Sequence, residues 1–296
     1  MAGRTLSPLF RRRHAASVVA RALVSALGAC VLMGCSAAGG SPTGAGSGQL
    51  TEAADVVLPT AGMEFDYQIG GGYTPSDGVR AVSRDREDEP APGLYNVCYV
   101  NAFQTQPGAL EWWQDTHPDL LLRDDDGEPV IDEGWDEVLL DTSTEARRAE
   151  LAEIVGTWID GCAESGFQAV EPDNLDSFER SKGKLTADHN AAFAEALAAR
   201  AHSAGLAIGQ KNTTDLLDRH DAIGFDFAVT EECAQFGECG AYADAYDDRV
   251  FAIEYEGEGD VSFDESCSVW ADRVSLVLRD LDVLPAGEKG HVYRTC

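Results

Sequence analysis

The segment GFQAVEPDN, residues 166–174, carries an apolar run, Phe167 to Val170, straight into Glu171, Pro172, Asp173 and Asn174. Carboxylates and amides are costly to desolvate unless paired, so they either stay in water at a rim or are placed for chemistry. The pattern recurs. Asn101 follows LYNVCYV, Asp141 closes EVLLD, Lys211 and Asn212 follow LAIGQ, Glu231 and Glu232 follow FDFAVT, and Glu254 and Tyr255 close VFAIEY. Any one acid could fall there by chance in a chain with 52 of them, but a set that includes a lysine and three asparagines is harder to dismiss. The chemistry that wants such a set is glycosidic bond cleavage, in which one carboxylate is ionised and a second donates a proton to the leaving oxygen. A Lys211 ammonium facing Asp173 would hold that acid ionised. Glu231 would then be the proton donor, raised by burial and by the neighbouring charge. No serine–histidine or cysteine–histidine arrangement competes with this set.

These residues need elements to bring them together. Strand candidates are 64–69, 79–83, 94–100, 137–141, 167–171, 206–211, 225–230, 250–255 and 274–278. Two amphipathic helices stand out. In 144–165, Leu151, Val155, Trp158 and Cys162 form one stripe before Gly166; in 186–204, Phe193, Leu197, Ala201 and Ala204 form another between Thr186 as N-cap and Gly205. Strands alternating with helices argue for parallel strands covered on their outer face. Eight or nine such units fit an α/β protein with a single-domain (β/α)₈ TIM-like barrel, in which all C-terminal strand ends open on one face. No glycine-rich nucleotide fingerprint follows a strand, so no cofactor is expected. RDDDGEPV, residues 123–130, lacks the spaced ligands of a calcium loop and reads as a solvated turn.

The N-terminus reads as a leader. Arg11, Arg12 and Arg13 precede the apolar run 22–34, which is too short to span a membrane comfortably. LMGC ends at Cys35 and resembles a bacterial lipobox, so residues 1–34 are expected to be a lipoprotein signal peptide and Cys35 the lipidated residue. Residues 35–62 read as a glycine- and serine-rich tether and 63–296 as the folded domain. This implies an extracytoplasmic protein, held at the membrane surface through Cys35 or secreted, and expected to be a monomer. Five of the 22 basic residues and none of the 52 acids fall in residues 1–34, which leaves a formal charge of −35. Such a chain repels nucleic acid and anionic membranes and suits a cationic ligand. Cys98, Cys162, Cys233, Cys239, Cys267 and Cys296 remain, and six cysteines in an exported chain suggest three disulfides. Cys233–Cys239 and Cys267–Cys296 are near neighbours, which would leave Cys98–Cys162. No C-x-x-C is present and the histidines are scattered, so no metal site is expected.

FDYQIGG, YVNAFQTQ, LLDTS, GFQAVEPDNLDSF, GLAIGQKN, FDFAVTEECAQFGEC and FAIEY resemble, in that order, the blocks of the endo-α-1,4-polygalactosaminidase family, glycoside hydrolase family 114. The resemblance covers residues 63–296. It implies a (β/α)₈ fold and cleavage of α-1,4-linked galactosamine polymers, the partly deacetylated exopolysaccharides of microbial biofilms. It also implies Asp173 as the catalytic aspartate and Glu231 as the catalytic glutamate, with Glu232 the fallback one position on. Tyr67, Tyr99, Asn174, Lys211 and Glu254 occupy pocket-lining blocks and are expected to bind substrate. Gln210 and Thr230 stand where many relatives carry leucine and asparagine. Cys233 and Cys239 fit the resemblance as a brace on the loop that carries Glu231. The expected activity is endo-acting and retaining, with Asp173 as nucleophile; the alternatives are a non-catalytic surface binder of cationic polysaccharide and a glycosidase for another α-linked glycan.

Overall fold

A computed structural model of the chain describes residues 55–257 and 261–296, so the expected signal peptide, Cys35 and most of the tether lie outside the described residues. Eight strands run in chain order around one sheet: β1 (Phe65–Tyr67), β2 (Ala81–Asp85), β3 (Tyr95–Asn101), β4 (Ala169–Asp173), β5 (Ala207–Lys211), β6 (Phe227–Glu231), β7 (Val250–Tyr255) and β8 (Ser275–Arg279). Every neighbouring pair is parallel. A ninth strand, β9 (Tyr293–Thr295), lies antiparallel on β8. β1 and β8 meet without a shared ladder, so the TIM-like barrel is nearly closed. Across that seam Arg279 and Asp66, both fully buried, pair at 3.4 Å. Arg279 also donates to the carbonyls of Leu284 and Val292, which spares its guanidinium from being buried without partners.

Strand alternation divides the core in two. Inward residues such as Phe65, Val97, Phe227, Val229, Ile253 and Val277 fill the barrel. Outward residues such as Val100, Val170, Ile208 and Ala252 pack against helices. Gly209 points inward on β5, where an added Cβ would come within 2.8 Å of the Phe227 ring; glycine is what lets that ring fill the barrel. The two expected helices form. α1 (Glu145–Ser165) starts at Thr144, whose side chain accepts from Arg147 N, and ends at Gly166 with φ 94°. α2 (Ala187–Ser203) starts at Thr186 in a capping box with His189. Leu151, Val155, Cys162, Phe193, Leu197 and Ala201 are buried; Trp158 and Ala204 sit at the edges of the stripes. Three disulfides brace the fold: Cys98–Cys162 ties β3 to α1, Cys233–Cys239 closes a six-residue separation after β6, and Cys267–Cys296 fixes the C-terminus.

The segment 137–141 departs from expectation. It is not a barrel strand, because β3 pairs directly with β4 and leaves no slot between them. Glu137–Val138 instead folds back on Ile131–Asp132 as an antiparallel hairpin, and Leu139 and Leu140 make single bridges to Gln104 and Leu121. A parallel crossover needs a long return path, whereas Gly134 and Asp136, the latter at φ 59°, turn the chain locally. The hairpin therefore stands in the long β3–α1 connection, beside the C-terminal strand ends. Residues 123–130 form a tight turn in which the Asp124 carboxylate accepts from the backbone of Asp126 and Glu128.

Candidate active site

The inward parity that fills the barrel continues to its C-terminal rim, where the side chains turn polar. Tyr67, Ser83, Tyr99, Glu171, Asp173, Lys211, Glu231 and Tyr255 all lie in register on the inner face. Lys211 is the centre. Its ammonium is 2.8 Å from Glu171 Oε1, 3.1 Å from Asp173 Oδ1 and 3.6 Å from Glu231 Oε2, and it donates to the Tyr67 hydroxyl at 3.0 Å. The Glu171 and Lys211 side chains are 0 % and 1 % exposed, whereas those of Asp173 and Glu231 are 16 % and 28 % exposed. Glu171 is thus sealed beneath the site, and Asp173 and Glu231 are the acids a ligand can reach.

Each acid has its own hydrogen bonds. Glu171 accepts from Tyr67 at 2.9 Å and from Ser83 at 2.7 Å. Asp173 Oδ2 accepts from Tyr99 at 2.7 Å. Glu231 Oε1 accepts from Tyr255, and its Oε2 accepts from Asn212 Nδ2 at 3.1 Å. The same Asn212 amide accepts from Glu231 N at 2.8 Å, so it holds strand end and side chain together.

The electrostatics separate the two neighbours on β4. Burial pushes both carboxyls up, and Lys211 pulls both down. For Asp173 the lysine, the Tyr99 hydroxyl and the backbone N–H of Asn174 prevail, and its pKa lies below the ordinary carboxylate range. For the sealed Glu171 burial prevails, and its pKa is raised. Burial alone would discharge Lys211, but Asp173, Glu171 and Glu231 together hold its pKa well above the usual value. Burial, with Glu171, Asp173 and Glu231 nearby, also raises Tyr67, Tyr99 and Tyr255, so these remain phenol donors.

Three left-handed residues follow the strand ends that carry this chemistry: Asn174 at φ 66°, Asn212 at φ 47° and Glu232 at φ 58°. Such conformations are costly outside glycine and persist where the surroundings enforce them. Here they turn the chain away immediately after Asp173, Lys211 and Glu231, which leaves those side chains at the barrel mouth.

Of the expected site residues, Asp173, Glu231, Lys211, Tyr67 and Tyr99 come together in one cluster. Asn174 adjoins it, but its amide is engaged: Nδ2 donates to Asn101 and Oδ1 accepts from Arg180. Glu254 is not brought in, which corrects its expected place in the pocket. Ile253 and Tyr255 point into the barrel, so Glu254 between them must point out, and there it accepts from Ala234 N at 3.0 Å. Burial raises its pKa to about 7, and its second oxygen is without a hydrogen-bond partner. Glu254 also lies beside Cys233 and Cys239, whose sulfurs are bonded to each other and offer no thiolate to a metal. Asp141 stays outside the cluster, paired with Arg147 at 3.1 Å. Glu171, Ser83 and Tyr255 were not assigned from sequence. Counting by two from Asp173, from Ile253 and from Asp85 would have found Glu171, Tyr255 and Ser83.

Comparison with known proteins gives the family and the fold. The sequence model described as Glycoside-hydrolase family GH114 matches residues 47–296. The crystal structure of Aspergillus fumigatus Ega3 in complex with galactosamine is similar at 21 % identity and a TM-score of 0.64, covering 82 % of this chain and 98 % of that one. The glycoside hydrolase domain of PelA from Pseudomonas aeruginosa is similar at 14 % identity and a TM-score of 0.50, covering 76 % of this chain and 97 % of that domain. No curated protein sequence matches the chain significantly.

Proposed function

This chain belongs to glycoside hydrolase family GH114, and on that premise we propose that it is an endo-acting glycosidase for α-1,4-linked galactosamine polymers. The observation that carries the reading is the pair of partly exposed carboxylates, Asp173 and Glu231, meeting across the Lys211 ammonium at 3.1 and 3.6 Å. The galactosamine held by Ega3 supports the class of sugar.

In this reading Asp173 is the nucleophile. Lys211 and Tyr99 keep one oxygen each in place and keep the group ionised. An Asp173 oxygen bonds to the anomeric carbon as the bond to the leaving oxygen breaks, and Glu231 gives its proton to that oxygen. Glu231 then takes a proton from water, whose oxygen replaces Asp173 at the anomeric carbon with overall retention. Tyr255 and Asn212 aim Glu231, and the sealed Glu171 fixes Lys211 from below. Tyr99 lines the mouth, and the fully buried Tyr67 lies beneath it, donating to Glu171. The leader-like residues 1–34 and the lipobox-like LMGC ending at Cys35 support a location outside the cytoplasm, with the chain anchored by lipid at the membrane surface or secreted.

Purified polygalactosamine tests the proposal. Wild-type protein should release reducing ends with the α-anomer formed first, as seen by proton NMR, and Glu231→Gln should release none. Tight binding without products in both would favour a non-catalytic binder, and turnover of neutral α-glycans alone would reassign the sugar.

A further inference from the structure

The hairpin in the β3–α1 connection buries groups that the reaction does not use. Glu137 and Asp132 are 7 % and 5 % exposed and face each other across the hairpin. Glu137 Oε2 accepts from Asn101 Nδ2 at 2.9 Å. Asn101 Oδ1 accepts from Asn174 Nδ2 at 2.9 Å, and Asn174 Oδ1 accepts from Arg180 at 3.2 Å. Arg180 returns to the hairpin through an ion pair with Asp132 at 2.7 Å, and Asp132 also accepts from Gln104. The chain of contacts closes on itself around Asn174.

Asn174 holds the left-handed turn after Asp173, whose carboxylate lies 3.1 Å from Lys211 and accepts from Tyr99 at 2.7 Å. An amide that donates to Asn101 and accepts from Arg180 has one orientation only. Asn101 and Asn174 each have both amide groups engaged in this chain, so the order set at Glu137 passes along these links. We propose that Glu137 is a positioning residue for Asp173, acting through Asn101 and Asn174 to hold the left-handed turn that keeps the Asp173 carboxylate on Lys211 and Tyr99. The role in turnover rests on the glycosidase reading; the effect on Asp173 itself does not.

Charge is not the route. Burial raises the Glu137 pKa to about 8, so it is uncharged across the acid range in which Asp173 titrates. Glu137 itself faces Asp132, Arg180 and Asp173. The groups facing Asp173 are Lys211 from β5, Glu171 from β4, Glu231 from β6 and Tyr99 from β3. Tyr67, Tyr255 and Arg180 act on it at longer range. None of them is altered by changing Glu137, which leaves the relay as the variable.

The test compares Glu137→Ala with Glu137→Gln, whose amide oxygen can still accept from Asn101. Glu137→Ala should lower kcat on polygalactosamine at least about 10-fold with KM within about 2-fold, and shift the acid limb of kcat/KM to higher pH. Glu137→Gln should keep most of kcat. Without substrate, carboxyl-carbon NMR titration, with Asp173→Asn to identify the signal, should show a raised Asp173 pKa in Glu137→Ala only. Should Glu137→Ala fail to fold, Asn101→Ser breaks the next link and should show the same two effects. An unmoved Asp173 titration, equal losses in the Ala and Gln variants, or a rise in KM with unchanged kcat would overturn the relay. A wild type without turnover sinks the glycosidase reading and leaves the titration to judge the relay.

Discussion

Lys211 is the residue on which the site turns, because three carboxylates face one ammonium. Removing a buried partner leaves uncompensated charge, so Lys211→Met should cost about 3–5 kcal/mol of stability, measured by urea unfolding, and abolish turnover. Asp173→Asn and Glu231→Gln should instead abolish turnover with little change in melting temperature, since both acids reach solvent. Glu254 gives a pH test with the opposite sign to Asp173. Its folded pKa of about 7 lies above the ordinary glutamate value of about 4.3, so its stabilising effect is complete below the latter and lost as pH rises through the former. Glu254→Gln should flatten the fall in melting temperature over that window, as followed by differential scanning calorimetry. An unchanged slope would count against a buried, raised Glu254.

Among the elements, two disulfides act on different quantities. Cys98–Cys162 closes a separation of 64 residues and Cys233–Cys239 one of six, so chain-entropy arguments assign them about 4 and about 2 kcal/mol. The short loop, however, begins two residues after Glu231. Replacing Cys98 and Cys162 with serine should lower the melting temperature more, and replacing Cys233 and Cys239 should lower kcat more; calorimetry and a reducing-end assay on the two double variants would show it. On β5, Gly209→Ala should destabilise the barrel by about 1–3 kcal/mol, since its Cβ would meet the Phe227 ring at 2.8 Å. The break from an apolar run to polar residues, rather than the period of two along a strand, made Asp173 and Glu231 legible as rim residues. The same period, applied strictly, separates Glu171 from Pro172 and Tyr255 from Glu254, and polarity without parity picked the wrong member of the second pair.

At the scale of the molecule, charge and polarity of the fold meet. A formal charge of −30 over the whole chain accompanies a mouth at which two acids are reachable, and deacetylated galactosamine is cationic near neutral pH. Raising ionic strength should therefore weaken cleavage of a deacetylated polymer more than that of an acetylated one; equal salt dependence would remove charge steering from the account. Residues 55–58 reach the domain at the opposite pole, where the Val57 carbonyl accepts from Tyr95 at the start of β3. The sequence alone determined the alternation of strands and helices, the Gly166 stop of α1 and the Thr186 cap of α2, and the two acids at strand ends, because these depend on local patterning and on residue type. Tertiary structure decided what the lysine touches, which of two adjacent acids is sealed and which is reached, and that 137–141 leaves the barrel to stand over Asn101. Those outcomes depend on which strand lies next to which, and on distances between groups that the chain holds up to 144 positions apart.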